Sequence, residues 1–350
     1  MRIAGYRLSC VKIPLRTPFV TALRRVGAAE AVRLVLFDGE GREGAGEAPP
    51  SVAITGESLD DIRRVVETVL LPPLRGRAFG SMEEVQERLH ALCHGHTSAK
   101  ACLDIALHNL FARREKIPLW QWLGGSSPRR ETAVTVSLDT PGRMARQASR
   151  LLHRGCRILK VKVGGSVRED IARIEAVRQA APKADLLLDA NQAWREREAI
   201  EIIERTAPLG IELVEQPLPA GDLAGMVRLA ARSPVPIVAD ESAFTLEEVR
   251  RVLQVGAAHM VNVKLMKCGG IARARRILEW CRRHGVACMM GSMLETPVSI
   301  SAALALASAY PDTIRYLDLD SPILYASLPG DADLYIEAGT IGLREGPPER

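Results

Sequence analysis

The sequence predicts an α/β protein, a (β/α)8 TIM-type barrel carrying a smaller N-terminal α+β capping domain. Three observations predict it. From about residue 131 an apolar strand, a polar junction and an amphipathic helix recur in turn; the plan completes eight units; and the first 125 residues have a different texture. Alternating strand and helix means parallel strands joined by crossovers, and eight such units close a barrel.

The elements follow in order. RIAGYRLSCVKI (2–13) and AVRLVLFDG (31–39) carry strand signals around a polar segment, TPFVTALRRVG (17–27), that reads as a mobile loop. Helical patterns run from Leu59 to Trp122 and stop at PLWQWLGG, where Gly124 is placed as a helix C-cap. The eight strands read TAVTVSLD, ILKVKV, ADLLLDAN, IELVEQP, PIVADES, HMVNVKL, ACMMGS and IRYLDLD. Between them lie stretches such as VREDIARIEAVRQAA, where apolar residues recur at helical steps. ADLYIEAGTIGL reads as a hairpin outside the repeat. The expected division is a capping domain over 1–125, a barrel over 126–325, and a C-terminal segment, 326–350, that returns to the capping domain.

Composition narrows the function. A chain of 350 residues with 47% hydrophobic content can bury a real core. Seven cysteines without a CxxC pair, and an N-terminus without an apolar leader, suggest a reduced, cytoplasmic protein. No apolar run reaches the roughly 20 residues of a membrane span. The net charge of +5 reads as evenly spread, and aromatics are 4%, which argues against nucleic acid as a partner.

LKVKVGG (159–165) interrupts a core strand with two lysines. Lys160 and Lys162 are two residues apart and point the same way, so something nearby should be negative. In such barrels chemistry gathers at the C-terminal strand ends, where the sequence offers Lys162, Asp189, Glu215, Asp240 and Lys264. One strand–helix unit separates each from the next. Three converging carboxylates raise one another's pKa unless a cation joins them, and an all-oxygen set suits Mg2+. A solvated strand end explains any one of these residues, but not five in register. Two lysines flanking a metal-held carboxylate are what a 1,1-proton transfer needs: the metal stabilises an enediolate, one amine removes the α-proton and the other returns it from the opposite face. Lys160 and the metal should lower the pKa of Lys162 toward working pH.

KVK (160–162), DAN (189–191), VEQP (214–217), ADES (239–242) and NVKLMKCGG (262–270) together resemble the muconate-lactonizing-enzyme subgroup of the enolase superfamily, over nearly the whole chain. The D-x-D of YLDLDSP, Asp318 and Asp320, resembles that of the dipeptide epimerases, and two carboxylates beside a cavity suit a free α-ammonium. The resemblance implies an enolase-like barrel, an isomerase acting on an L,L-dipeptide, with L-Ala-L-Glu as the type of substrate, and one Mg2+ per subunit. It makes Lys162 and Lys264 the acid/base pair and Asp189, Glu215 and Asp240 the metal ligands. Lys160, Thr135 and Ser292 fall where the family contacts substrate, and Asn191 where a lysine or ligand is oriented. Arg24 resembles the arginine that meets a glutamate side chain, although adjacent Arg25 leaves the register open. Members of the subgroup often associate, which leaves a homo-oligomer open.

Other readings stand beside this one. N-acylamino-acid racemases and o-succinylbenzoate synthases share the subgroup, and a Schiff-base aldolase also uses a barrel lysine but needs no carboxylate triad. HGH (94–96) has no third metal ligand in sequence, and Cys268 reads as a small buried residue in a tight turn.

Overall fold

The structure, a computed structural model, describes residues 2–20, 25–330 and 332–344, so Arg24 lies outside the described residues. Strands β1 (Ile3–Val20) and β2 (Arg25–Asp38) pair antiparallel, and β3 (Glu43–Ala48) adds to β2. Segment 17–27, expected as a loop, is strand at both ends: Phe19 pairs with Val26 and Val20 with Arg25. The carbonyl of Val20 also accepts from the Leu138 N–H, so the strand end is tied to the barrel. Helices α1 (Leu59–Val65), α2 (Met82–Ala91), α3 (Thr97–Arg114) and α4 (Leu119–Trp122) follow. Helix α3 lies against β3 so closely that a Cβ on Gly44 would stand 2.3 Å from the Ala106 carbonyl oxygen, and one on Gly46 1.9 Å from that of Cys102. Only glycine admits the helix there. Gly124, at φ 89°, ends α4 in the left-handed conformation expected of a cap.

After the short β4 (Arg129–Glu131) the barrel begins. Its strands are β5 (Val134–Val136), β6 (Ile158–Lys162), β7 (Asp185–Asp189), β8 (Ile211–Glu215), β9 (Ile237–Ala239), β10 (Met260–Val263), β11 (Cys288–Gly291) and β12 (Ile314–Asp318), parallel and adjacent in sequence order. The Ala133 N–H donates to the Leu317 carbonyl and joins the last strand to the first. The crossovers are α5 (Pro141–His153), α6 (Val167–Ala180), α7 (Glu196–Thr206), α8 (Leu223–Arg232), α9 (Leu246–Gln254), the single turn α10 (Leu265–Cys268) with α11 (Ile271–Arg283), and α12 (Pro297–Ser308). The eighth unit departs from the plan: α13 (Ser321–Leu324) is one turn only.

Alternation sorts each strand between two faces. Outward residues such as Leu159, Val161, Leu186, Leu188 and Val214 join the main core beneath the helices. Inward residues Ile158, Leu187, Leu213, Val238, Met260, Met289 and Tyr316 form a separate apolar floor. Two residues further along, Lys160, Asp189, Glu215, Asp240 and Asp318 turn the interior charged, with Asn262 and Gly291 at the same step on the sixth and seventh strands, and that layer is the candidate site.

The C-terminal hairpin, expected on the capping domain, pairs elsewhere. Strands β13 (Leu334–Glu337) and β14 (Thr340–Leu343) add to β4, with Thr340 opposite Glu131 and Gly342 opposite Arg129. The edge of β4 offers unpaired backbone groups that the hairpin satisfies. The chain does touch the capping domain before that, where the Ala326 N–H donates to the Pro14 carbonyl.

Two buried carboxylates of the capping domain hold it to the barrel. Helices α11 and α12 have no side-chain cap of their own. Asp104 on α3 accepts the Ile271 N–H at 2.5 Å, and Glu47 on β3 accepts the Val298 N–H at 3.0 Å and the Thr296 hydroxyl at 2.6 Å. Each supplies negative charge at a helix N-terminus from another domain. Asp104→Ala and Glu47→Ala should each lower stability by about 2 kcal/mol, read as a fall in the urea midpoint. Unchanged midpoints would mean that the clamps contribute nothing.

Candidate active site

Register brings the sequence-predicted groups to one level. Lys162 stands beside Asp189 on the neighbouring strand, and Asp189 beside Glu215; Thr135 stands beside Lys160, one inward position lower. Asp240 and Lys264 follow the last residues of β9 and β10. Lys162 and Lys264 stand on the second and sixth barrel strands, half a turn apart. The strands carrying Asp189, Glu215 and Asp240 fill one arc between them. Asp318 at the end of the eighth strand, Asp320 just beyond it and Thr135 from the first lie on the other.

These side chains form one buried network. Lys160 Nζ lies 2.9 Å from Asp189, 2.7 Å from Glu215 and 2.6 Å from Asp318. Lys162 Nζ donates to Asp189 at 2.5 Å and to Asn191 Oδ1 at 3.2 Å. Lys264 Nζ donates to Asp240 at 2.6 Å and lies 3.9 Å from Glu215. The Asp320 carboxylate accepts the Thr135 N–H at 2.7 Å, and the Ser292 hydroxyl donates to the Asp318 carbonyl at 3.2 Å. Beyond the strand ends the backbone is strained, with positive φ at Asn191, Gln192 and Gln216.

Burial and mutual charge move the pKa values apart. Burial works against the charge of Lys160, but Asp189, Asp318 and Glu215 outweigh it and hold its pKa well above the usual lysine value. Lys264 is likewise raised, its burial outweighed by Asp240 and Glu215. Asp189 and Asp240 are held well below the carboxylate range, since the facing lysines overcome their burial. Glu215 is pushed up to about 7 by burial and by Asp189. Asp320 rises to about 6 through burial and the neighbouring Asp318, and Glu241 to about 8 through burial and Asp240.

Acids outnumber bases here. Asp189, Glu215, Asp240, Glu241, Asp318 and Asp320 face Lys160, Lys162, Lys264 and Lys267, an excess of two negative charges when all are ionised. Glu215 Oε2, Asp240 Oδ1 and Glu241 Oε2 are buried without a hydrogen bond, although the first two lie 2.7 Å from Lys160 and Lys267. Among the described residues no ready-made cluster of metal-ligating side chains is closed, because lysines stand between the carboxylates. A buried all-oxygen set of carboxylates that outnumber the lysines facing them fits a hard divalent cation such as Mg2+.

Thr135, Lys160, Lys162, Asn191, Asp240, Lys264, Ser292, Asp318 and Asp320 border one cavity of about 70 Å3. Asp189 and Glu215 are fully buried and are reached through Lys160. The capping domain covers it with Phe19, Ser51, Ala53 and Ile54. Sequence reasoning missed three participants. Lys267 reaches Asp240, Asn262 donates to Glu215 at 2.8 Å, and Glu241 accepts from Asn191 at 3.4 Å. Asn262 was detectable, since it precedes Lys264 by two residues and shares its inward face. Gly291 next to it must lack a side chain, because a Cβ there would stand 2.5 Å from Asn262. Cys268 is buried and its thiol pushed up to about 12 by burial, so it is no nucleophile. Gly270, two residues on and at φ 116°, leaves room for Asp104. His96 of the HGH segment starts α3 with a left-handed backbone.

Comparison with known proteins agrees with this architecture. Residues 3–124 match the mandelate racemase/muconate lactonizing enzyme N-terminal domain, and residues 143–347 match the enolase C-terminal domain-like family. The chain is 42% identical over 328 residues to the L-Ala-D/L-Glu epimerase of Bacillus subtilis, covering 93% of this chain and 89% of that one. The solved substrate-liganded complex of the Bacillus subtilis L-Ala-D/L-Glu epimerase superposes with a TM-score of 0.96 at 39% identity, covering 99% and 98% of the two chains. A dipeptide epimerase from Enterococcus faecalis, solved with Mg and L-Leu-L-Tyr, gives 0.93 at 33% identity and covers 99% of each chain. With both domain types matched in order and the fold shared along the chain, this protein belongs to the mandelate racemase/muconate lactonizing enzyme family, within the enolase-like fold.

Proposed function

We propose that the protein is a Mg2+-dependent dipeptide epimerase, an isomerase that inverts the α-carbon of the C-terminal residue of an L,L-dipeptide. The observation that carries this reading is the division of the barrel mouth: two lysines half a turn apart, a carboxylate triad on one arc between them and Asp318 with Asp320 on the other. A dipeptide carries a carboxylate at one end and an ammonium at the other. Laid across the mouth with its carboxylate toward the triad and its ammonium toward Asp318 and Asp320, it has its α-carbon between Lys162 and Lys264.

Asp189, Glu215 and Asp240 would hold the Mg2+, which when bound supplies positive charge that stabilises the substrate carboxylate as negative charge develops on it. Lys160 adds a fixed positive charge on the same side. One lysine, neutral, takes the α-proton from its own side; the other, an ammonium, gives a proton to the opposite face. One amine gains the proton that the other loses, so the exchange balances, and the roles reverse for the other epimer. The proton on Lys264 is held by Asp240 and Glu215, which are proposed metal ligands, so metal binding and the basicity of this lysine are linked. Asn191 steadies Lys162, and Thr135 and Ser292 brace Asp320 and Asp318.

For the side chain we propose an acidic residue, L-Ala-L-Glu type, on the strength of the Bacillus subtilis relative and of Arg24. All seven cysteines are free, which suits a cytoplasmic enzyme. Among the described residues no helix is long and apolar enough to cross a membrane.

Proton NMR in D2O with Mg2+ and a panel of L,L-dipeptides should show loss of the α-proton signal of the C-terminal residue, fastest with L-Ala-L-Glu. Faster exchange with basic or aromatic C-terminal residues would overturn the acidic preference; exchange only with N-succinyl amino acids would overturn the dipeptide reading itself. Lys162→Ala and Lys264→Ala should each lower epimerisation by about 10^3-fold or more. Asp320→Asn should raise KM for dipeptides more than it lowers kcat, since it removes charge that would hold the ammonium in ground and transition states alike. EDTA should abolish activity and Mg2+ restore it, whereas borohydride trapping of a lysine with a carbonyl substrate would point to the aldolase instead.

A further inference from the structure

A second cavity, larger than the one at the charged mouth of the barrel, lies outside it. It has a volume of about 630 Å3 and runs beside α5, under the end of β1 and against α13. The truncated eighth unit explains it. Because α13 is a single turn, α5 packs along α6 on one side and has no other helix closely against it among the described residues.

This cleft is lined by arginine. Arg143, Arg146, Arg150 and Arg154 recur at three- and four-residue steps and so share one face of α5 and its C-terminal end, a stripe spanning about 16 Å. Arg16 and Arg25 face them from the capping domain. The acid in the lining is Asp139, 3.4 Å from Arg143. Arg16 donates to the Tyr325 carbonyl, and neither it nor Arg25, Arg146, Arg150 or Arg154 meets a carboxylate within ion-pair distance among the described residues. The charge expected to be spread evenly is concentrated here. Like charges stacked along a helix repel one another, and the repulsion is relieved by an anion between them.

We propose that this cleft binds a small non-aromatic polyanion, a molecule carrying two or more carboxylate or phosphate groups. The volume is that of a small-molecule pocket rather than a macromolecular groove. Among the described residues no aromatic side chain lines it, so they offer no surface on which a nucleobase could stack. Guanidinium forks match carboxylate and phosphate oxygens in pairs. Among the described residues the cleft holds no facing acid/base pair, and the ligand we propose for it is an effector. It also adjoins the first site. Thr135 and Leu324 border both cavities, and Gln147 on α5 donates to the Thr135 carbonyl, whose own N–H is held by Asp320.

The test is calorimetric titration of the Mg2+-saturated protein at low salt with tricarballylate and with fructose 1,6-bisphosphate. It reads binding without turnover and is independent of which dipeptide is the substrate. At least one probe should bind at one site per chain, more weakly as salt rises. The better probe identifies the carboxylate or phosphate source. Arg146→Glu/Arg150→Glu should weaken binding about tenfold or more, and Arg146→Ala/Arg150→Ala by a smaller factor. Lys162→Ala, in the other cavity, should leave it unchanged. Binding of neither probe would overturn the proposal, as would binding that survives both arginine pairs of changes or disappears in Lys162→Ala.

Discussion

The ammonium group of Lys160 sits at the centre of the barrel mouth, and it can be buried there because carboxylates from three strands reach it. Asp189, Glu215 and Asp318 come from the third, fourth and eighth strands, so one cation ties opposite sides of the barrel together. Removing water from a lone charge is prohibitive, whereas removing it from an interlocked set is compensated by mutual attraction. The positions of Lys162 on Asp189 and of Lys264 on Asp240 follow from the same rule.

The charge layer needs a frame stiffer than the loops that surround it. An apolar floor of inward side chains supports it from below, and the capping domain closes it from above. Asp104 and Glu47 set that lid by capping α11 and α12, the helices that follow the sixth and seventh strands. Lys264 lies just before α10, the turn that leads through Gly269 and Gly270 to α11, so a capping-domain carboxylate anchors the segment that begins with a proposed catalytic lysine. Stability at the domain interface and geometry at the site are thus parts of one arrangement.

Much of this was legible in the sequence because the barrel repeats. Strand ends recur at unit spacing, so Lys162, Asp189, Glu215, Asp240 and Lys264 could be read as one level before any contact was known. Residues lacking that periodic marker were not legible. Lys267 lies in a turn, Glu241 beside a more conspicuous acid, and the two clamping carboxylates in helical and strand patterns where an acid usually faces water.

By itself the sequence determined the fold class, the identity of the charged layer and its match to a metal, because alternation along strands and period along helices are local properties of the chain. Tertiary structure decided the rest. The C-terminal hairpin joined β4 because an open edge was available there, and polar segment 17–27 became strand at both ends because β1 and β2 could extend their ladder. The arginines of α5 came to line a cleft because the eighth crossover is too short to cover them. In each case the outcome depends on which surface is left uncovered once distant segments have packed, and local pattern carries no information about that.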